Sequence, residues 1–479
     1  MRTFTTADLN RIWHHILSAP ITDKLSVSAI NTDSRTIRAG ETFVVVSGEN
    51  FDAHQFIPMA IERGANAVVV EKEQDNIAVP QIVVSNTRLA LAQLATAIRE
   101  EFTGTVIGLT GSVGKTTNKQ MLASIFSQVG NTHATKGNLN NDLGVPFTWF
   151  ALPENTDYAV IEMGANHQDE IAYLANITRP NIAMITNAGQ AHLEGFGGLD
   201  GVAKGKGELF ERLSVGDTAI INYDDRYYQY WRELLADDVS VLTFSLENSQ
   251  ADVYAKNISA DGSQFTLCYT DKAVEITLPT VGRHNVMNAL GVSACAIASG
   301  VGLTDIAKGL SVFETAKGRL QKYQRGNITI IDDTYNANPM SMRASAEILA
   351  NTDGYRIMVV GDMGELGSDE IALHVQLGKD LLGKADAFFC LGEKMRAFAE
   401  HNETAQHFDE LSVLCQTLTD NLSVQQTTTV LVKGSRSMKM ERVVEYLLNN
   451  YNHSRVKKKS LQGLPSKTVP VVRQDGITP

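Results

Sequence analysis

Short apolar runs alternate with stretches of helical periodicity along most of the chain, the pattern of α/β folds with mostly parallel sheets. Near the start, "TFVVVSG" and "ANAVVVEKE" read as strands around the helix "HQFIPMAIERG". A helix, "NTRLALAQLATAIREEF", leads into the strand "TVIGLTG", and the next helix carries Leu122, Ile125, Phe126 and Val129 as one apolar stripe. Strand and helix alternate as far as Asn222; irregular strand-like pieces follow ("VSVLTF", "SQFTLCY"), then a helix from about Asn285 to Ser299. "FETAKGRLQKY" is a charged connection without strong apolar periodicity. Beyond it the strands "NITIIDD", "RIMVVGD", "DAFFCLG" and "TTTVLVKG" alternate with helices such as "DEIALHVQLGKDLL". Each of these strands ends in Gly, Asp or Lys, which suits tight βα loops and equally suits a ligand face at the carboxyl edge of a parallel sheet.

Length and composition narrow the class. A chain of 479 residues is too long for one ordinary core, and 43% hydrophobic with 20% charged residues describes a globular protein. No apolar run is long enough to span a bilayer and the N-terminus lacks a signal-type apolar region, so a cytoplasmic address is the expectation. The formal charge of −12 argues against a nucleic-acid surface. Cys268, Cys295, Cys390 and Cys415 are scattered among apolar residues, as buried free thiols are, and fit neither a disulfide frame nor a zinc site.

The strongest local signal is the loop Thr110-Gly111-Ser112-Val113-Gly114-Lys115-Thr116-Thr117, set between a strand and a helix. Its glycines allow backbone N–H groups to turn onto a phosphate, and the helix N-terminus adds positive potential. Lys115 suits the outer phosphates and the Thr116 hydroxyl suits Mg²⁺. The spacing is a shortened P-loop, with Leu109 where the full motif has its first glycine. ATP or GTP binding follows. Domain boundaries fall near residues 85 and 314: a small N-terminal α/β domain (1–84), a central P-loop domain with a mostly parallel sheet and helices on both faces (85–314), and a C-terminal Rossmann-like α/β domain (315–453). The stretch 454–479, rich in Lys, Pro and Gly, reads as a disordered tail.

Other polar residues stand at strand ends. Glu162 closes the strand of "DYAVIEMGANHQDE", and His192 lies in the loop after "NIAMIT". If both strands share the P-loop sheet, a carboxylate, an imidazole and the Thr116 hydroxyl meet on one rim, a set that suits a divalent ion shared with phosphates. Lys204 and Lys206 in "GVAKGKGELF" read as a solvated helix end, or as one lysine facing a metal position; the latter works only if its charge is inverted, for example as a carbamate formed with CO₂. Asn140 and Asn141 in "GNLNNDLGVP" suit turns or a polar ligand. Asn285 and Asn288 suit helix capping. Asp333 and Asn336 in "DDTYNANP" suit an Asx turn or a ribose.

Together these pieces resemble the Mur ligases, the ATP-dependent amide-forming enzymes of peptidoglycan precursor synthesis. The resemblance covers roughly residues 25 to 450 and is carried by "NTDSRTIRAGETFVVVSGENFDAHQF", "TGSVGKTT", "GNLNNDLGVP", "DDTYNANPMSM", "GDMGELG" and "KGSRSMKME". The Asp-Asn-Pro-Arg motif of the diaminopimelate-adding branch is absent, and Ala53 replaces a glycine frequent between the Asp and His retained as Asp52 and His54. The motif set is similar to the branch that adds D-alanyl-D-alanine to a UDP-linked muramoyl tripeptide through an acyl phosphate. The resemblance implies ATP and two Mg²⁺ ions, with Lys115 and Thr116 at the phosphates and Thr116, Glu162 and His192 at the metal. It also implies Lys206 as the carbamylated lysine, and Asn288, Arg319 and Asp333 about the nucleotide. Ser34 and Arg35 fall to the uridine nucleotide, Asn140, Asn141 and Asn336 to the muramoyl-peptide side, and Lys433 and Arg436 to the dipeptide. The enzyme is expected to be a monomer with small-molecule substrates, no nucleic acid and no membrane span. The residues alone also admit a related amide ligase of other substrate, or a P-loop ATPase in which Glu162 positions water.

Overall fold

The computed structural model describes residues 1–48, 52–422 and 426–451; the tail assigned to 454–479 lies outside the described residues. Three α/β domains are built on three main sheets. A four-stranded parallel sheet runs in chain order through Ile30–Asn31, Thr42–Val44, Ala67–Val70 and Gln81–Val83, beside a short antiparallel pair, Phe4–Thr5 with Ser26–Val27.

The central sheet has nine strands. From one edge these are Thr132–Ala134, Tyr158–Glu162, Thr105–Thr110, Ile182–Ile185, Thr218–Asn222, Ser240–Ser245 and Val253–Lys256, all parallel. Gln264–Tyr269 and Lys272–Thr277 then add antiparallel at the far edge. Its strands read as continuous apolar runs because both faces are covered. Val106, Ala159, Ile161, Ala183 and Ile185 face one core with Leu91, Leu94, Ile171 and Leu174 of the helices Thr87–Glu101 and Glu170–Thr178. Ile107, Leu109, Val160 and Met184 face another with Leu122 and Ile125 of Lys115–Phe126, and Val286 and Leu290 of Arg283–Ala298. The N-terminal residues Phe4, Leu9 and Trp13 join the first of these cores, and the Trp13 indole donates to the Ala90 carbonyl at 3.0 Å. The four-stranded and nine-stranded sheets accordingly lie in one compact unit, formed by 1–317 with 338–348 and 363–373.

A second unit, 318–337 with 349–362 and the chain from 374, holds a six-stranded sheet in the order Gln321–Arg325, Ile328–Asp332, Thr428–Lys433, Tyr355–Gly361, Ala387–Leu391, Ala405–Phe408. All but the first strand are parallel. The four strands expected in this part are present, and the two edge strands were not foreseen. Gln321–Arg325 reads "QKYQR" and pairs on one side only, so polarity there blunts an edge and hides the strand from a hydrophobicity pattern. All four cysteines are buried free thiols. Burial pushes the Cys295 and Cys390 thiols far above their ordinary range, as an inert core role requires.

One stripe residue departs from expectation. Leu122, Ile125 and Phe126 are fully buried, whereas the helix ends at Phe126 and Val129 is 41% exposed. Leu122→Ala should therefore lower stability by about 2–5 kcal/mol, and Val129→Ala should stay within about 0.5 kcal/mol of the parent. Trp13, Trp149 and Trp231 are all buried in the first unit, so urea unfolding followed by tryptophan fluorescence reads this difference in that unit.

Candidate functional site

In the central sheet, strand Thr105–Thr110 lies between Ile182–Ile185 and Tyr158–Glu162. The chain leaves it towards one edge and later returns to its other side, which makes a topological switch point with a crevice at the carboxyl ends. The strands carrying the phosphate loop, Glu162 and the His192 loop are thus immediate neighbours. Thr110 ends the strand fully buried. Gly111 has φ +154°, and a Cβ there would lie 1.8 Å from Thr186 Oγ1. Gly114 has φ +85°, and its Cβ would come within 2.7 Å of Asn288 Oδ1. Neither position tolerates a side chain without strain.

The loop is braced from the neighbouring strand exit. The Ser112 and Val113 amides donate to the Asn187 carbonyl and side-chain Oδ1, both at 3.1 Å, and Thr186 Oγ1 donates to the Val113 carbonyl at 2.8 Å. Ser112 Oγ donates to the Gly189 carbonyl at 3.1 Å. Lys115 Nζ donates to the Gly111 carbonyl at 2.6 Å, curled over the loop, and Thr117 follows on the first helical turn. Asn118 Nδ2 donates to Asn288 Oδ1 at 2.8 Å, which brings Asn288 against the phosphate loop; Asn285 instead donates to the Val281 carbonyl at its own helix start.

Glu162 is the node of the site. It is 2% exposed, and its carboxylate meets three side chains from two segments. Thr116 Oγ1 lies 3.4 and 3.3 Å from its two oxygens, Asn140 Nδ2 donates to Oε1 at 2.8 Å, and Lys119 Nζ lies 2.9 Å from Oε2. Asn140 is held in turn by its carbonyl, which accepts from the Gly164 amide at 2.8 Å. Asn141 Oδ1 accepts from the Gly144 amide at 2.9 Å and supports the next helix, Gly144–Phe150.

His192 adopts a left-handed backbone, φ 55°, ahead of the short helix Leu193–Phe196. Its Nδ1 lies 2.6 Å from Glu365 Oε2, and that hydrogen bond holds the Glu365 carboxyl below its ordinary range. A carboxylate on one ring nitrogen fixes the imidazole and leaves the other nitrogen oriented for a metal. Lys204 and Lys206 separate cleanly: Lys204 is exposed, and Lys206 is 1% exposed. Glycines at 201 and 205 let the helix Leu199–Gly207 lie against Phe196, whose ring centroid is 5.5 Å from Lys206 Nζ. Burial first, and then the Lys115 charge, push the Lys206 ammonium well below its ordinary pKa, against the opposing pull of Glu208.

In the N-terminal domain, Ser34 is buried with Oγ near Met59 Sδ, while Arg35 is exposed and forms a two-pronged pair with Asp33 at 2.9 and 2.8 Å. In the second unit, Asp333 Oδ2 is 2.6 Å from Lys433 Nζ, which also donates to the Asn336 carbonyl at 2.9 Å. The Lys433 ammonium is therefore committed to the "DDTYNANP" loop. The Asx turn expected there belongs to Asp332, which accepts from the Thr334 amide and hydroxyl at 3.2 and 2.6 Å. Asn336 Oδ1 accepts from the Arg436 amide at 3.3 Å, the Arg436 guanidinium pairs with Glu441 at 3.1 Å, and the Arg319 guanidinium stacks 4.3 Å from the Tyr335 ring centroid.

Among the described residues no group of three acidic, His or Cys side chains converges as a ready metal cage. The Thr116–Glu162 pair, a hydroxyl beside a carboxylate, fits a hydrated Mg²⁺ that takes its remaining ligands from phosphates and water. Lys119, Asn187 and Glu365 were missed in the sequence. Lys119 alone left a signal, lying one helical turn after Lys115 and Thr116 on the same face.

Three family models account for most of the chain: a Mur ligase catalytic domain over residues 26–99, a Mur ligase middle domain over 109–296, and a Mur ligase glutamate ligase domain over 318–436. The UDP-N-acetylmuramoyl-tripeptide--D-alanyl-D-alanine ligase of Escherichia coli (strain K12) is 43% identical over 430 residues, covering 89% of this chain and 95% of that protein. The enzyme of the same name from Bacillus subtilis (strain 168) is 34% identical over 91% of this chain and 96% of its own length. A crystal structure of MurF from Acinetobacter baumannii superposes with a TM-score of 0.89 at 38% identity, covering 94% of this chain and all (100%) of that one. MurF ligase from Thermotoga maritima, in complex with ADP, gives 0.79 at 27% identity over 90% of this chain and 98% of its own. With a phosphate loop and a buried carboxylate at the ends of adjoining strands, and similarity running through all three domains, the chain belongs to the Mur ligase family.

Proposed function

We propose that this protein is the ATP-dependent ligase that joins D-alanyl-D-alanine to UDP-N-acetylmuramoyl-tripeptide in peptidoglycan precursor synthesis. The reading is carried by one observation: the Thr116 hydroxyl of the phosphate loop meets the buried Glu162 carboxylate, which also binds the Asn-rich loop through Asn140. A nucleotide site and a second substrate's loop thereby share one carboxylate. The similarity over nearly the whole chain to UDP-N-acetylmuramoyl-tripeptide--D-alanyl-D-alanine ligases supports this choice of substrates.

Two anions must approach each other when the tripeptide carboxylate attacks the γ-phosphate of ATP. Lys115 and the N-terminus of helix Lys115–Phe126 offset that repulsion. Thr116, Glu162 and His192 would hold Mg²⁺, which would supply charge neutralisation at the phosphates. The acyl phosphate so formed is attacked by the amine of the dipeptide, and inorganic phosphate leaves with the amide bond made. No protein nucleophile takes part. Asn288, Arg319 and Asp333 serve the nucleotide, with Asp333 fixed for the ribose by Lys433. Lys433 is thereby a positioning residue, and Arg436 remains the candidate for the dipeptide. Ser34 and Arg35 serve the uridine nucleotide, and Asn140, Asn141 and Asn336 the muramoyl-peptide side.

Lys206 has the properties that carbamylation demands. An amine adds to CO₂ only when neutral, and this one is buried and biased towards the neutral form, with Glu208 exerting only the weakest of the pulls on it. The product, an anion beside Lys115, inverts an unfavourable pair of like charges.

ADP release should require both the muramoyl tripeptide and the dipeptide, and Lys115→Ala should cut turnover by at least about a hundredfold with the far-UV spectrum unchanged. ATP hydrolysis indifferent to both substrates would point to a simple ATPase instead. In ¹³CO₂-enriched buffer a carbamate carbonyl resonance should appear in the wild type and be absent from Lys206→Ala. A short carboxylic acid should restore part of that variant's activity.

A further inference from the structure

Lys119 lies outside every role assigned above, yet it is one of the most buried charges in the protein. It is 4% exposed, on the helix that begins with Lys115. Its ammonium is 2.9 Å from Glu162 Oε2 and donates to the Gly137 carbonyl at 2.7 Å. Gly137 belongs to the same Asn-rich loop as Asn140, which donates to the other Glu162 oxygen. Thr135 Oγ1 completes the contact by accepting from the Glu162 amide at 3.0 Å. A depression of about 200 Å³ lies on the Lys119 side of the pair, bordered by Thr116, Lys119, Thr135 and Gly137 among others.

The charges around this point are lopsided. Lys119 touches Glu162, and Lys115, on the same helix, curls its ammonium over the phosphate loop. A triphosphate is attracted to such a basin; a bare divalent cation is not. Near a buried carboxylate a fixed positive charge a few ångströms away weakens cation binding steeply, because little water intervenes. A carboxylate with four lone-pair directions can still share a metal once phosphates bring compensating negative charge.

We propose that Lys119 is a resident counter-ion of Glu162 that keeps the metal position closed to a free divalent cation and opens it to the metal–nucleotide complex. It is a positioning residue: it acts on the metal through Glu162 and touches neither substrate carboxylate nor phosphate in the proposed reaction. The same ammonium ties the Asn-rich loop to the phosphate-loop helix, so metal entry and the placement of Asn140 are coupled. The inference rests on reading Glu162 as the metal carboxylate.

Mn²⁺ is the probe, with binding followed by electron paramagnetic resonance and equilibrium dialysis, in the absence and presence of a non-hydrolysable ATP analogue. Without nucleotide, wild type should bind Mn²⁺ weakly, and Lys119→Met should bind it about tenfold tighter or more. Lys119→Arg, which keeps the charge, should behave as wild type. With the analogue all three should bind. Circular dichroism and thermal unfolding check that each variant is folded, and Lys119→Gln is the alternative neutral variant where Lys119→Met is not. Equal nucleotide-free affinity in wild type and the neutral variant, or a gain in Lys119→Arg equal to that of the neutral variant, overturns the role of Lys119. Nucleotide-dependent Mn²⁺ binding unaffected by Glu162→Gln overturns the underlying reading of Glu162 instead.

Discussion

A carboxylate taken out of water has to be answered by donors and by positive charge, or the fold loses more than it gains. Glu162 is answered by Thr116, Lys119 and Asn140, and these come from the start of one helix, the next turn of that helix and a separate loop. The phosphate loop and the Asn-rich loop therefore cannot move independently of the strand Tyr158–Glu162. Their mutual geometry is set by the need to satisfy one buried anion, and the catalytic arrangement inherits its precision from that need.

Sheet order makes this possible. Strand Thr105–Thr110 has Glu162's strand on one side and the strand leading to His192 on the other. Register fixes the heights: Leu109 pairs with Glu162, and Thr110 pairs with Ile185. Residues that leave these strands at their carboxyl ends have to emerge together. The side chains beneath them, alternating between two separate apolar cores, hold that register against slippage, because a one-residue shift would exchange the two faces.

Much of this was legible in the sequence, for identifiable reasons. The phosphate loop, Glu162 and the parallel strands announce themselves through local pattern: glycines before a Lys-Thr pair, apolar runs, polar strand ends. What pattern cannot supply is the partner of a side chain. Glu365 lies far from His192 along the chain, and only folding brings their side chains to 2.6 Å. Lys433 drew attention as a strand-end cation, but its commitment to Asp333 depends on the pairing of Thr428–Lys433 with Ile328–Asp332. The strand Gln321–Arg325 was hidden by its own edge chemistry. Lys204 and Lys206 looked alike in composition, although their spacing of two places them on different sides of a helix, and that geometry alone decides which is buried.

The two buried lysines of the site show how one residue type can meet opposite surroundings. Lys119 and Lys206 are each almost wholly removed from water. Lys119 has a carboxylate at 2.9 Å and a carbonyl at 2.7 Å, partners that reward an ammonium. Lys206 has an aromatic ring at 5.5 Å and the repulsion of Lys115, with Glu208 exerting a weaker pull. The first environment offers direct polar partners, and the second, by burial above all, disfavours a charge on Lys206. A neutral amine is what carbamylation would require of Lys206, and a close cation is what the buried Glu162 carboxylate requires of its neighbours. The two environments differ although the residue type is the same, so the chemistry open to each lysine is specified by contacts as much as by sequence.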